Sequence, residues 1–478
     1  MLNYMLEIYR IQQEYFQILA EFFERATGKS ATAFASPDSF GEAIKKDSEK
    51  IAKRAEDAFP WGVNALVDFY NRHKTAAFQS AHEIGGMKLV LGGSSQFTDT
   101  HLQAVRKMLL YADTILIPDP ILPWIEVERE EENFPHTKLL QNIFILLHLK
   151  PLVDANLSYP AIIVFPSYEK SLETKDDETK QGIDRLVSSF FSYYTGKKFV
   201  SMKDILNYAC TSEKEFLQQV EKNRLFIPPD GVTGSSITKA VEDYRQYIKS
   251  WRSEQHAKTY LSLPDGALVM NGISERLAPQ WHLLENADEL HAQPMLCLNA
   301  HWHYYTLCAS MYQGRLLESN LLKPETVNTL RALSGHQFEW LGNIPIEIIA
   351  KLREQNENEE FRKTLSSFTS ELNKCAIDDI DRVTSEVCRG IASLLSEHKK
   401  RVKEISDKYT RIYGSTLVAS WVILAATFVP ALAPFVALVP PLALAGKYAW
   451  DKTGEITEKK QLSHSLMGVL ASVKGNIG

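Results

Sequence analysis

Apolar residues over the first 84 positions recur at helical spacing. In MLNYMLEIYRIQQEYFQILAEFFERATG, Met5, Ile8, Tyr15, Ile18, Leu19, Phe22 and Phe23 fall mostly on one side, with Glu7, Arg10 and Glu14 among them. That spacing predicts an amphipathic helix, and Gly28 stands where a C-terminal cap would end it. The same charges break the continuous apolar core that a secretory leader needs. Two more helices are expected, from about Ser39 to Ala58 and from about Trp61 to Ala81. Pro37 and Pro60 lie near their starts, where a missing N–H costs least.

The pattern changes over 85–200. Short apolar runs at Lys88–Leu91, Thr114–Ile117 and Ala161–Phe165 alternate with helix-like stretches at about Thr98–Leu110 and His136–Leu149. Such alternation predicts a βαβαβ unit with a small parallel sheet. Residues 201–370 are mixed, with turns at Pro228-Pro229-Asp230-Gly231 and Pro264-Asp265-Gly266. A helix is expected over Ile237–Trp251 with Ser235 or Ser236 as its N-cap. Another is expected from Pro345 to about Leu372, with the charges of KLREQNENEEFRK on its solvent side. From Ile380 to Ile412 apolar or semi-apolar residues recur every three or four positions, close to a heptad seam. They predict one helix roughly 50 Å long at 1.5 Å per residue, either the longest member of a bundle or a self-association stalk.

The most distinctive pattern follows. Between Arg411 and Lys447 stand 35 consecutive uncharged residues, IYGSTLVASWVILAATFVPALAPFVALVPPLALAG. A helix needs about 20 residues to cross a bilayer, but Pro430, Pro434, Pro440 and Pro441 break any single straight span. The run divides into Ile412–Val429 and Ala431–Trp450, of 18 and 20 residues, and these could form a hairpin. Trp421, Val422, Ile423, Leu424, Phe428, Phe435, Leu438, Leu442, Leu444 and Trp450 would face lipid. Tyr409, Tyr413, Tyr448 and Trp450 would gather at one interface, and basic residues flank both ends, which predicts both ends on the cytoplasmic side. A hairpin buried in a soluble core is the alternative. An apolar hairpin among amphipathic helices resembles the arrangement in pore-forming colicins. The resemblance covers only the C-terminal part of the chain and is one of pattern, with no shared motif.

Composition sets the frame. The chain has 478 residues, 45% hydrophobic and 23% charged, with a net charge of −6. These values exclude a disordered or disulfide-scaffold chain. The acidic balance offers no footprint for nucleic acid, so none is expected as a partner. Five cysteines without a CxxC pair fit a reducing compartment and no zinc knuckle.

Candidate chemistry gathers in the α/β unit. Ligands of parallel sheets sit beyond the carboxyl ends of the strands. Gly92, Gly93, Ser94 and Ser95 follow the first run, Asp119 the second, and Ser167 and Glu169 the third. Together they could bind a phosphate-containing small ligand, with Asp119 or Glu169 as a base or ribose contact. The loop is neither GxGxxG nor GxxxxGK[ST], so no cofactor is named. Asp119 with Glu173-Thr174-Lys175 spells a PD…ExK string, but that ExK lies in a solvated charge run. His301 and His303 would share a face only on a strand, and no metal is assigned to them.

The expected fold is α/β plus α. A helical region at 1–84 precedes the α/β unit at 85–200 and the mixed region at 201–370. A long amphipathic helix at 371–411 then leads to a hydrophobic hairpin at 412–450 and a polar tail at 451–478. The expected function is membrane action. A cytoplasmic sensing or binding part is coupled to a hairpin that inserts into or permeabilises a bilayer, as in a toxin or effector. The expected location is the cytoplasmic face of a membrane, or the cytoplasm with inducible insertion. One alternative is a soluble phosphate-ligand enzyme or sensor using Gly92–Ser95. The other is a membrane-tethered scaffold assembling as a homo-oligomer through 380–412.

Overall fold

The computed structural model describes residues 2–34, 37–92, 97–109, 112–127, 136–165, 176–227, 236–249 and 254–295, then 346–355 and separate positions between 300 and 393. The long amphipathic helix lies mostly, and the hairpin at 412–450 wholly, outside these residues. Among the described residues, no helix is long and apolar enough to cross a membrane.

The described chain is mainly helical around a small parallel sheet. The first part runs α1 (Leu2–Thr27), α2 (Pro37–Lys46), α3 (Ser48–Glu83), β1 (Lys88–Leu91), α4 (Asp99–Met108), β2 (Thr114–Pro118), α5 (Leu122–Val127), α6 (His136–Leu147), α7 (Lys150–Asp154) and β3 (Ile162–Phe165). The second part runs α8 (Asp176–Thr195), α9 (Met202–Thr211), α10 (Glu213–Lys222), α11 (Ile237–Ile248), α12 (Glu254–Leu261), α13 (Asp265–Glu289), β4 (Gln293–Met295) and α14 (Ile346–Glu354).

The three strands expected from the apolar runs are present and parallel. Ile115 pairs with Leu89 on one side and Ile162 on the other. A fourth strand, β4, was not expected. It adds to β1 in parallel, giving the order β3-β2-β1-β4. Residues 293–295 of the mixed region therefore extend the sheet of the α/β unit. Every residue of β1 and β3 is buried, as in a parallel sheet covered on both faces. Continuous apolar runs, rather than alternating ones, follow from that double burial.

The N-terminal helices pack on this sheet. On α1, Ile8, Tyr15, Leu19, Phe22 and Phe23 are buried, and Gly28 ends the helix at φ +76 with its N–H on the carbonyl of Glu24. The expected break at Pro60 does not occur. Instead the chain breaks at Asp47, and α3 continues through Pro60. Pro60 has no N–H for the carbonyl of Glu56, but both residues are exposed, so solvent can take its place. Buried Ala55, Ala58, Phe59 and Gly62 hold the helix together across that point. Phe22 and Phe59 join α1 to α3, with ring centroids 6.1 Å apart. Phe40 of α2 meets Phe144 of α6 at 4.6 Å. One hydrophobic core runs from Ile8 to Ala350, and Val383, a residue of the heptad-like seam, packs half-buried against it.

Candidate functional site

The carboxyl edge of the sheet holds two of the sequence-derived candidates on neighbouring strands. Gly92 follows β1, and its N–H donates to the carbonyl of Met295 at 2.9 Å. That donor extends the β1–β4 ladder, so it does not face a ligand. Asp119 follows β2, is 7% exposed, and donates its own N–H to the carbonyl of Phe165 at 2.8 Å. Gly93, Ser94, Ser95, Ser167 and Glu169 lie outside the described residues.

The Asp119 carboxylate is a polar hub between helices and sheet. Oδ1 accepts from the Tyr15 phenol of α1 at 2.8 Å and from the N–H groups of Ile121 at 2.7 Å and Leu122 at 3.3 Å. Oδ2 accepts from the Tyr70 phenol of α3. A buried carboxylate needs such donors. Burial and the neighbouring Asp119 together keep the Tyr15 phenol protonated, its pKa well above the ordinary value. The arrangement closes the turn into α5 and anchors α1 and α3 to β2.

A second anchor lies beside it. β3 is an edge strand, and Gln12 of α1 covers its free side. The Gln12 amide donates from Nε2 to the carbonyl of Val164 at 2.9 Å and accepts at Oε1 from the N–H of Val164 at 2.7 Å. The side chain thus does what a fifth strand would do, and it removes an exposed pairing edge.

His303 is described and His301 is not. The His303 ring lies 3.0 Å from the carbonyl of Arg224 through Nε2, and burial pulls its pKa down to about 4. Among the described residues no group of three or more His, Cys, Asp or Glu is placed to hold a metal ion.

The opposite, amino-terminal edge carries charged groups whose role the sequence reading missed. Lys88 of β1 is 4% exposed and donates from Nζ to the carbonyls of Ala81 at 2.9 Å and His82 at 2.8 Å, capping the end of α3. Burial pulls its pKa from 10.5 down to about 8. Asp113, just before β2, accepts the N–H of Met87 at 2.8 Å. Arg353 of α14 donates to the carbonyls of Leu109 at 2.7 Å, Ala112 at 2.6 Å and Asp113 at 2.8 Å. Arg362 pairs with the Asp113 carboxylate at 2.9 Å. Arg353 and Arg362 are 5% and 4% exposed. The charges of KLREQNENEEFRK are therefore not all on a solvent side. The two arginines turn inward because the end of α4 and the start of β2 present carbonyls and a carboxylate that satisfy them. The sequence signal was only two arginines within a stretch of mixed charge, and it does not name those partners.

Against family models, curated proteins and solved structures alike, the chain shows no match.

Proposed function

We propose that this chain is a membrane-acting effector, in which a folded body of helices and parallel sheet carries a C-terminal apolar hairpin that inserts into or permeabilises a bilayer. The single observation behind it is the uncharged run of 35 residues between Arg411 and Lys447. It is longer than one span requires, broken by prolines into two arms, and flanked by basic residues and aromatic rings on both sides. The attachment of the preceding segment supports the same reading. Arg353 and Arg362 tie residues 353 and 362 to the sheet, so the chain that leads on to the apolar run starts from an anchored point. Its place is the cytoplasmic face of a membrane, reached constitutively or on a trigger, and the 380–412 helix offers a seam for self-association. A phosphate-loop enzyme at the carboxyl edge has less support, because the Gly92 N–H and the Asp119 oxygens already serve the fold.

Fractionation with and without residues 412–450 tests the proposal. The full chain is expected in the membrane fraction, at least after triggering, and the deletion in the supernatant. Ala419→Asp, placing a charge near the middle of Ile412–Val429, should block insertion at about 3 kcal/mol. Liposome dye release by the full chain separates a pore from an anchor. A full-length chain that stays monodisperse without detergent and never partitions into lipid would refute the proposal.

A further inference from the structure

We propose that the corner between α8 and α9 is a docking surface for an anionic lipid bilayer. Val200 stands at its tip and is 75% exposed, the most exposed large apolar side chain among the described residues. It precedes Ser201, the N-cap of α9. A residue in that position ordinarily folds back onto the fourth helical residue, here the buried Ile205. A side chain three-quarters exposed to water leaves that packing largely unmade. Leu206 is exposed as well, and it shares the outer face of α9 with exposed Lys203, Asn207 and Cys210. Val200, Lys203 and Leu206 follow one another at steps of three, so solvent meets an apolar, a cationic and an apolar side chain in turn.

The fold ties down the backbone that presents them. Gly196 ends α8 at φ +69 with its N–H on the carbonyl of Ser192. Phe199 turns inward, donating its N–H to Ser192 Oγ at 3.0 Å and bringing its ring 5.7 Å from Tyr208. The Asp204 carboxylate accepts the N–H groups of Val200 at 3.2 Å and Ser201 at 3.0 Å, and Asp184 accepts that of Met202 at 2.8 Å. Docking a tip already held in place forfeits little conformational freedom. Charge names the partner. Residues 196–215 hold four lysines against three carboxylates, a net of +1 in a chain of −6. Each of those carboxylates is engaged within the fold: Asp204 in the cap, Glu213 with the N–H of Gly266 and Glu215 with Lys197. Lys198 and Lys203 are exposed and hold no ion pair among the described residues. An apolar tip flanked by lysines suits the headgroup boundary of a negatively charged leaflet. The lysine stems can lie along the apolar tip while their ammonium groups reach headgroup oxygens. One valine and one leucine give too little area for a stable protein interface, whereas shallow insertion into a bilayer needs no more. The surface is separate from residues 412–446 and stands whether or not that run inserts.

The test uses the full-length chain. Val200→Cys in a Cys210→Ser background carries a nitrobenzoxadiazole label, and the labelled Cys210→Ser chain gives the background from the other cysteines. Vesicles are phosphatidylcholine with and without phosphatidylserine. The expected result is brighter, blue-shifted emission from position 200 on the phosphatidylserine vesicles, weakened by added salt, with a much smaller change on phosphatidylcholine alone. Adding Lys198→Ala and Lys203→Ala should raise the lipid concentration at half-maximal response about fivefold for each charge removed. Both side chains are exposed, and unchanged thermal unfolding without vesicles checks that the fold is intact. Dye release from the same vesicles reports the apolar run separately. Release without an emission change at position 200 overturns the docking surface and leaves the hairpin reading in place. An emission change without release supports the docking surface and counts against a pore. An equal change on both vesicle types, indifference to the two lysine substitutions, or no change on any vesicle overturns the inference.

Discussion

Single polar side chains decide how the helices meet the sheet. The Asp119 carboxylate accepts hydrogen bonds from Tyr15 of α1, Tyr70 of α3 and the N–H groups of Ile121 and Leu122 in the turn into α5. An amide in its place offers one acceptor oxygen and sets a nitrogen donor against a phenol donor. Asp119→Asn should therefore lower unfolding stability by about 2 kcal/mol, read from the urea midpoint. A solvent-facing catalytic base at this position would leave the midpoint unmoved. Lys88 makes a pH-dependent contribution. Its pKa falls from 10.5 in the unfolded chain to about 8 in the fold, so between those values the unfolded state binds more protons. Stability from this group then rises with pH from about 8 to 10.5, and below 8 the fold carries the full cost of the buried charge. Lys88→Met should flatten that rise. The check is the difference in unfolding free energy between the two proteins across the same pH range.

Elements are held by close approaches that a small residue permits. At the start of α13, a Cβ on Gly266 would collide with the backbone carbonyl oxygen of Ala209 in α9. That atom is backbone, so no rotamer change relieves the collision. Gly266→Ala should cost about 1–3 kcal/mol, despite alanine's better helix propensity, and denaturant titration reads it. The same scale shows why the helix boundary near Pro60 was misplaced. Local rules put proline at a helix start, whereas packing of Phe59 and Gly62 against Phe22 carries α3 straight through. The short strand β4 has three residues, one of them Pro294. As an edge strand it tolerates proline, but by composition alone it does not look like a strand.

Across the whole molecule, the chain folds back on itself to close the amino edge of the sheet. Arg353 reaches carbonyls 240 to 244 residues away in sequence, and Arg362 reaches Asp113 over a similar separation. Arg362→Gln breaks a buried pair and leaves the Asp113 carboxylate with less compensation, at a cost of about 3 kcal/mol. The expected consequence is local before it is global. Limited proteolysis should cut the 346–364 segment of the variant under conditions that leave the α1–α3 pair intact. Simultaneous cleavage everywhere would show that this attachment is not a separable joint.

What the amino-acid sequence determined by itself is local in origin. The three apolar runs became β1, β2 and β3, the stripe of α1 became its buried face, Ser236 caps α11 by accepting from the N–H of Lys239 at 3.3 Å, and the uncharged character of 412–446 needs no coordinates. Periodicity and capping depend on residues a few positions apart, so they are written in the order of the chain. Tertiary structure alone decided that Gln12 would complete an edge strand, that Asp119 would be held by two phenols, that β4 would join the sheet, and that two arginines in a charge-rich stretch would turn inward. Each of those outcomes depends on a partner far away in sequence. A buried charge or amide is stable only where such a partner waits, and no local spacing reveals where that is.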